Sequence, residues 1–177
     1  MLQSFIKKYS SLLITVTLVV VLDQWTKWLV RTNIPLNGSW LPDWLLWLAP
    51  YARFIFIYNK GAAFGMFQNG NVLFAIVAFL VAGGVLYFYG QIDSRDWVLR
   101  LAAGLYLAGI LGNLIDRLTL GQVTDFISVG TFYIFNVADA SINVGVALLL
   151  IGYWLSERKK ANRSSADEML SNKGETS

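Results

Sequence analysis

Residues 72–89 read V-L-F-A-I-V-A-F-L-V-A-G-G-V-L-Y-F-Y, a run without one charged side chain. About 20 apolar residues in a helix cross the ~30 Å hydrocarbon core of a bilayer. A helix apolar on every side has no face to offer water, so this run predicts a membrane span. Three further runs of similar length and character lie at 11–30, 97–116 and 137–155. The expected fold is therefore a mainly α membrane protein of four transmembrane helices. A single integral membrane domain would cover 1–155, with a polar tail, expected to be disordered, over 156–177.

Composition agrees and narrows the chemistry. The mean hydropathy of +0.54 is too high for an ordinary water-soluble domain. The net charge of +3 needs no nucleic acid to explain it, because basic residues collect at the cytoplasmic ends of spans. The chain has no Cys and no His, which removes disulfides, thiolate nucleophiles, Ser-His and Cys-His pairs and the usual zinc sites. All three glutamates lie beyond residue 155. Acid–base chemistry in the membrane body must use Asp, Lys, Tyr or a hydroxyl. No metal and no cofactor is expected.

The start of the chain, basic and then apolar, has the outline of a cleaved signal peptide, but the run continues through Trp25, Trp28 and Arg31 without a small-residue cleavage pattern. Four spans place both termini on one side. Lys7, Lys8, Arg95, Arg100 and the basic tail make that side cytoplasmic. Arg100, near the start of the third span, is able to snorkel to the interface. Outer loops then cover 32–71 and 118–135. In the first, residues 41–49 (L-P-D-W-L-L-W-L-A) are Trp-rich and too short to span, as expected of an interfacial amphipathic segment. Residues 53–58 (R-F-I-F-I-Y) are aromatic and β-branched, so a strand is expected there, running into the Gly-rich turn N-K-G-A-A-F-G at 59–65.

The polar residues at the ends of the spans carry the functional reading. Asp23 and Lys27 share a helix face, as an ion pair or as part of a common site. Asn113, Asp116 and Arg117 share another, where the neighbouring arginine is expected to keep Asp116 ionised. Asn136, Asp139 and Asn143 form a polar stripe on the fourth span. Asp125 stands in a segment of strand character, where aspartate is disfavoured. Two carboxylates held together cannot both ionise comfortably. One then acts as a base toward water while the other keeps a proton for the carbonyl. Asp125 and Asp139 are the candidates for such a pair.

Five motifs carry a resemblance. They are D-Q-W-T-K (23–27), N-K-G-A-A-F-G (59–65), G-N-L-I-D-R (112–117), V-T-D-F (123–126) and F-N-V-A-D (135–139). In this order and spacing the chain resembles bacterial lipoprotein signal peptidase, signal peptidase II, over roughly residues 11–155. The resemblance implies a small periplasmic β-cradle and an interfacial helix beside the four spans. It implies that Asp125 and Asp139 are the catalytic dyad of an aspartic endopeptidase. The implied substrates are diacylglyceryl-modified prolipoproteins, cut just before the lipidated cysteine. It further implies that Asn59, Asn113, Arg117 and Asn136 line the site, with Asp23, Lys27, Gly61 and Gly65 supporting it. Globomycin-type inhibitors, membrane lipids, a monomeric state and the bacterial inner membrane follow on the same ground. Residues 41–49 would lie where a mobile cover for the site is needed.

Three other readings stand beside it, the third a purely structural assembly protein, which leaves the shared polar faces unexplained. A Ser/Lys hydrolase would pair Lys27 or Lys60 with Ser128 or Ser141. A small ion- or proton-coupled transporter would use the same aspartates as a path.

Overall fold

The structure, a computed structural model, describes residues 2–61 and 70–174. The chain runs α1 (Leu2–Asn33), β1 (Ser39–Trp40), a 3-10 helix (Asp43–Leu48), β2 (Ala52–Asn59), α2 (Asn71–Tyr89), α3 (Trp97–Leu120), β3 (Val123–Val129) and α4 (Val137–Gly174). Four segments are long and apolar enough to cross a membrane: Tyr9–Asn33, Asn71–Tyr89, Trp97–Leu120 and Val137–Leu155. The four-span expectation holds, and the ends differ. α3 runs to Leu120, past the loop start expected at 118, and stops only where Gly121 takes a left-handed φ of 72°. Such a residue accommodates the backbone turn without steric strain, and its N–H closes on the Arg117 carbonyl. α4 continues through the polar segment expected to be disordered. That segment is polar and free of Pro, and its first Gly is Gly174, so no breaker ends a helix already under way.

α3 is the central helix, buried along most of its length and packed on α1, α2 and α4. Small residues let it sit there. Ala102, Ala103, Gly104, Ala108, Gly109 and Gly112 are all buried, and backbones approach closely across such surfaces. A Cβ on Gly109 would fall on the Ala138 carbonyl oxygen and 2.6 Å from Ser141 Oγ of α4. One on Gly112 would stand 2.7 Å from Asp23 Oδ2 of α1. The outer faces are apolar, with Leu73, Ile76, Phe79 and Leu80 of α2 all largely exposed. An apolar surface this continuous is matched to lipid.

At the other end of the bundle, Arg100 is buried and does not reach outward: its guanidinium lies 4.5 Å from the Tyr89 ring, and its N–H groups reach the Ile92 carbonyl and Ser11 Oγ. An aromatic face and two oxygen acceptors hold the charge inside, where α1, α2 and α3 meet.

The three strands form one antiparallel sheet in the order β1-β2-β3, which leaves β3 on an edge. Ser39 faces Ile55, Ile57 faces Asp125 and Asn59 faces Val123, with a bulge between Phe54 and Ile57. The short helix beside it exposes Trp44 and Trp47, as expected of a segment lying in a membrane interface. Because the α3–α4 contact depends on a missing side chain, Gly109→Ala is expected to cost about 1–3 kcal/mol. Thermal unfolding in detergent measures it. Gly83→Ala on α2, where a Cβ meets nothing within 4 Å, serves as the control and leaves the midpoint unchanged or raised.

Candidate active site

The site begins with the first turn of α4. Asn136 precedes the helix, and its Oδ1 accepts from the Asp139 N–H at 2.9 Å. Asp139 Oδ2 in return accepts from the Asn136 N–H at 3.2 Å. This reciprocal pair is a capping box, with Asp in the place usually held by Glu or Gln. The next free donor, the Ala138 N–H, reaches Asp23 Oδ1 of α1 at 2.9 Å. Three N–H groups at a helix start are thus satisfied by three side chains, and Asp139 is fixed as one of them.

Asp125 comes from the edge strand β3 and is almost fully buried. Its Oδ2 accepts from Asn59 Nδ2 at 3.0 Å, at the end of β2. Asn59 Oδ1 is held by the Gly61 N–H at 3.0 Å, so its side-chain amide can only present the donor to Asp125. Asp125 Oδ1 accepts from Asn136 Nδ2 at 2.7 Å.

Asn136 therefore touches both carboxylates. Its Nδ2 also donates to Asn113 Oδ1 at 3.1 Å, and Asn113 Nδ2 donates to Asp139 Oδ1 at 2.7 Å. Every amide in this ring is oriented by a neighbour that can act in only one sense. Burial pushes the Asp125 carboxyl up to about 7, and the negative charge of Asp139 pushes the same way. The amide donors of Asn59 and Asn136 and the charge of Lys27 oppose that rise.

Beneath the ring lies an ionic cluster. Lys27 Nζ is 2.8 Å from Asp23 Oδ2, 3.4 Å from Asp116 Oδ2 and 3.1 Å from Asn113 Oδ1. All three charged side chains are at most 1% exposed. Gln24 Nε2 stands 3.1 Å from both Asp23 and Asp116 and 3.0 Å from the Gly112 carbonyl. Arg31 lies 3.8 Å from Asp116 and donates to Thr124 Oγ1 at 3.0 Å.

The structure brings together Asp23, Lys27, Asn59, Gly61, Asn113, Asp125, Asn136 and Asp139. Gly65 lies outside the described residues. Arg117 is within electrostatic reach of Asp139, Asp125 and Asp116, but its guanidinium packs 5.3 Å from the Phe74 ring of α2. Asp116 is accordingly paired with Lys27 and Arg31 of α1, not with its sequence neighbour. Asn143 is exposed and stands apart from the stripe that Asn136 and Asp139 begin. Gln24, Arg31, Asp116 and Thr124 were not expected in the cluster. The D-Q-W-T-K motif contained a signal for the first, since Gln24 adjoins Asp23 on a span.

An apolar cavity of about 520 Å³ lies on the other side of the sheet, against Leu29, Val30, Ile34, Trp40, Phe54 and Phe126. Asp125 and Phe126 are consecutive on a strand and so face opposite sides. The carboxylate cluster and this cavity therefore lie on opposite sides of the sheet.

Residues 15–155 match the family described as Signal peptidase (SPase) II. A lipoprotein signal peptidase of Symbiobacterium thermophilum is 42% identical over 144 residues, covering 79% of this chain and 91% of that one. One of Halalkalibacterium halodurans is 37% identical over 158 residues, covering 86% and 97%. A bacterial membrane enzyme solved by the in meso method at 2.3 Å resolution superposes with a TM-score of 0.78 at 28% identity. That superposition covers 85% of this chain and 92% of the other. The motifs of the cluster, the four spans and these matches over most of both chains agree, and the chain belongs to the signal peptidase II family of peptidases.

Proposed function

We propose that this chain is an aspartic endopeptidase that removes the signal peptide from diacylglyceryl-modified prolipoproteins, cutting just before the lipidated cysteine. The observation that carries the reading is the ring in which Asn136 joins Asp125 to Asp139, with neutral amide donors directed at both carboxylates. Asp139, on the first turn of α4, lies where the helix dipole favours a negative charge. Asp125 then holds the shared proton. Asp139 takes a proton from water, whose oxygen bonds to the scissile carbonyl carbon while Asp125 gives its proton to the carbonyl oxygen. When the C–N bond breaks, the departing amine of the cysteine takes a proton from the dyad, and the new carboxyl stays on the signal peptide. Asn59, Asn113 and Asn136 orient the pair, and Arg117 lines the site.

The enzyme acts in the bacterial inner membrane with both termini cytoplasmic and the site near the periplasmic leaflet, where a lipid-borne substrate enters sideways. Globomycin-type peptides bind the same site, and the enzyme works as a monomer. The Trp-rich segment covers the site during turnover. A crosslink locking that segment to α1 lowers turnover, and unchanged turnover refutes the cover. A transport role finds little support, because the first three spans carry no charged side chain between the cluster and the opposite end, and α4 none between Asp139 and Leu155. A Ser/Lys pair finds none in Lys27, which is salt-bridged, or Ser141, which donates to the Ala138 carbonyl.

The test is cleavage of a synthetic diacylated prolipoprotein by the purified protein in lipid. Asp125→Asn and Asp139→Asn should each lower kcat by about 10²–10⁴ or more while the protein stays folded. An unacylated control should be cut poorly. Normal cleavage by either variant rules the dyad out.

The pH profile follows from Asp125. Its carboxyl is raised to about 7, so the acid form is present below that pH and lost above it. Cleavage is expected to fall as pH rises through about 7. The Asn59 hydrogen bond favours the charged form, so Asn59→Ala moves that limb to higher pH. A limb that stays in place, or moves down, contradicts the assignment of the proton to Asp125.

A further inference from the structure

Asp116 has no place in the chemistry described above, yet it is 1% exposed and more heavily bonded than a helix-end carboxylate needs to be. β3 is an edge strand, so alternate backbone groups on its outer side have no strand to meet. The outer edge is closed in another way. Asp116 Oδ2 accepts from the Thr124 N–H at 2.9 Å, and Asn136 Nδ2 reaches the Thr124 carbonyl at 3.4 Å. The Phe126 and Ile127 N–H groups reach the Phe135 carbonyl at 3.0 and 2.7 Å. The Phe135 N–H in turn donates to the Ile127 carbonyl at 3.1 Å, so two side chains and one bridging residue stand in for a fourth strand on either side of Asp125.

We propose that Asp116 is a positioning residue for Asp125: its carboxylate replaces a neighbouring strand at Thr124 and thereby sets where the Asp125 side chain enters the site. The inference rests on the reading of Asp125 and Asp139 as the catalytic pair. Asp116 can do this because its own place is over-determined. Lys27 and Arg31 from α1 and Gln24 all reach its oxygens, so the carboxylate cannot swing away from the strand. The inner side of β3 is already held by β2 through the Ile57–Asp125 and Tyr58–Thr124 pairs. With Asp125 paired to Ile57 on the inner side and the Thr124 backbone tied on the outer side, the strand carries Asp125 as a rigid mount. Asp116 touches neither carboxylate of the pair, so it acts on the geometry of the reaction and not on the binding of the substrate.

The test uses the full chain in lipid with the diacylated peptide, comparing wild type, Asp116→Ala, Asp116→Asn and Asp125→Asn. Misplacing a reacting group by about 1 Å costs about 10²-fold in rate. Asp116→Ala should therefore lower kcat about 10- to 100-fold with KM within about twofold of wild type. Asp116→Asn keeps an oxygen for the Thr124 N–H and should recover kcat to within about fivefold. A kcat for Asp116→Ala within about twofold of wild type, beside an inactive Asp125→Asn, overturns the proposal. So does a loss confined to KM, or an asparagine variant as slow as the alanine one. If Asp125→Asn itself cleaves, the dyad reading fails instead, and the two failures are told apart by that control. Should Asp116→Ala not fold, an ester in place of the Val123–Thr124 amide removes the same N–H alone. That change should lower kcat in the otherwise native chain, and an unchanged kcat overturns the proposal.

Discussion

Lys27 has no exposure and stands between two carboxylates, and the rest of the site hangs on that position. A buried ammonium is tolerated only where charge and hydrogen bonds surround it. Asp23, Asp116 and Asn113 supply both. Each of these three then has a second task. Asp23 holds the first turn of α4 through the Ala138 N–H, Asp116 holds β3 through the Thr124 N–H, and Asn113 donates to Asp139. One cation from α1 therefore fixes the two elements that bear Asp139 and Asp125. The glycines of α3 matter for the same reason, since Gly112 leaves the space into which Asp23 reaches.

Orientation is transmitted through the amides in one direction. A lysine can only donate, so Asn113 must offer it an oxygen, which leaves the Asn113 NH₂ for Asp139. Asn136 meets the same carbonyl with its own NH₂ and so presents donors to Asp125. Asn59 is turned the same way by the Gly61 N–H. No amide in the ring is free to rotate, and each carboxylate meets donors that favour no particular pairing with a cation. A substitution at Lys27 would accordingly act at a distance, through the sense of Asn113.

Much of this was legible in the sequence, because its signals are local. An uncharged run marks a span, R-F-I-F-I-Y marks a strand, and carboxylates at the edge of hydrocarbon mark a site. The partners were less legible. Asp116 and Arg117 adjoin in sequence, but successive helical residues point about 100° apart, so Arg117 packs on α2 while Asp116 faces α1. What Asp116 meets depends on the packing of a helix 89 residues earlier (Lys27 Nζ to Asp116 Oδ2), which no local pattern records. The partner of Arg100 is hidden for the same reason, since the Tyr89 ring that holds it belongs to another span. Residue type made Asp125 and Asp139 candidates, and the structure places both in one hydrogen-bonded ring through Asn136. That Asn136 and Asp139 cap one another could also have been read, because N-x-x-D before an apolar run is a capping pattern.

The four aspartates of this cluster are treated in two ways, and the difference bears on function. Asp23 and Asp116 have cationic nitrogens within 4 Å, while Asp125 and Asp139 receive only neutral N–H donors. A cation in contact with a carboxylate fixes where it stands, and such a group is a good brace. A carboxyl held by neutral amides keeps its geometry while its proton remains free to leave and return, and Asp125, pushed to about 7, is poised to do so near neutrality. The cations are near enough to oppose that rise, since Lys27 acts on Asp125, but they are spent on the braces. On the proposed reading, separating the carboxylates that hold, Asp23 and Asp116, from the pair assigned to the reaction lets one buried cluster be both rigid and reactive.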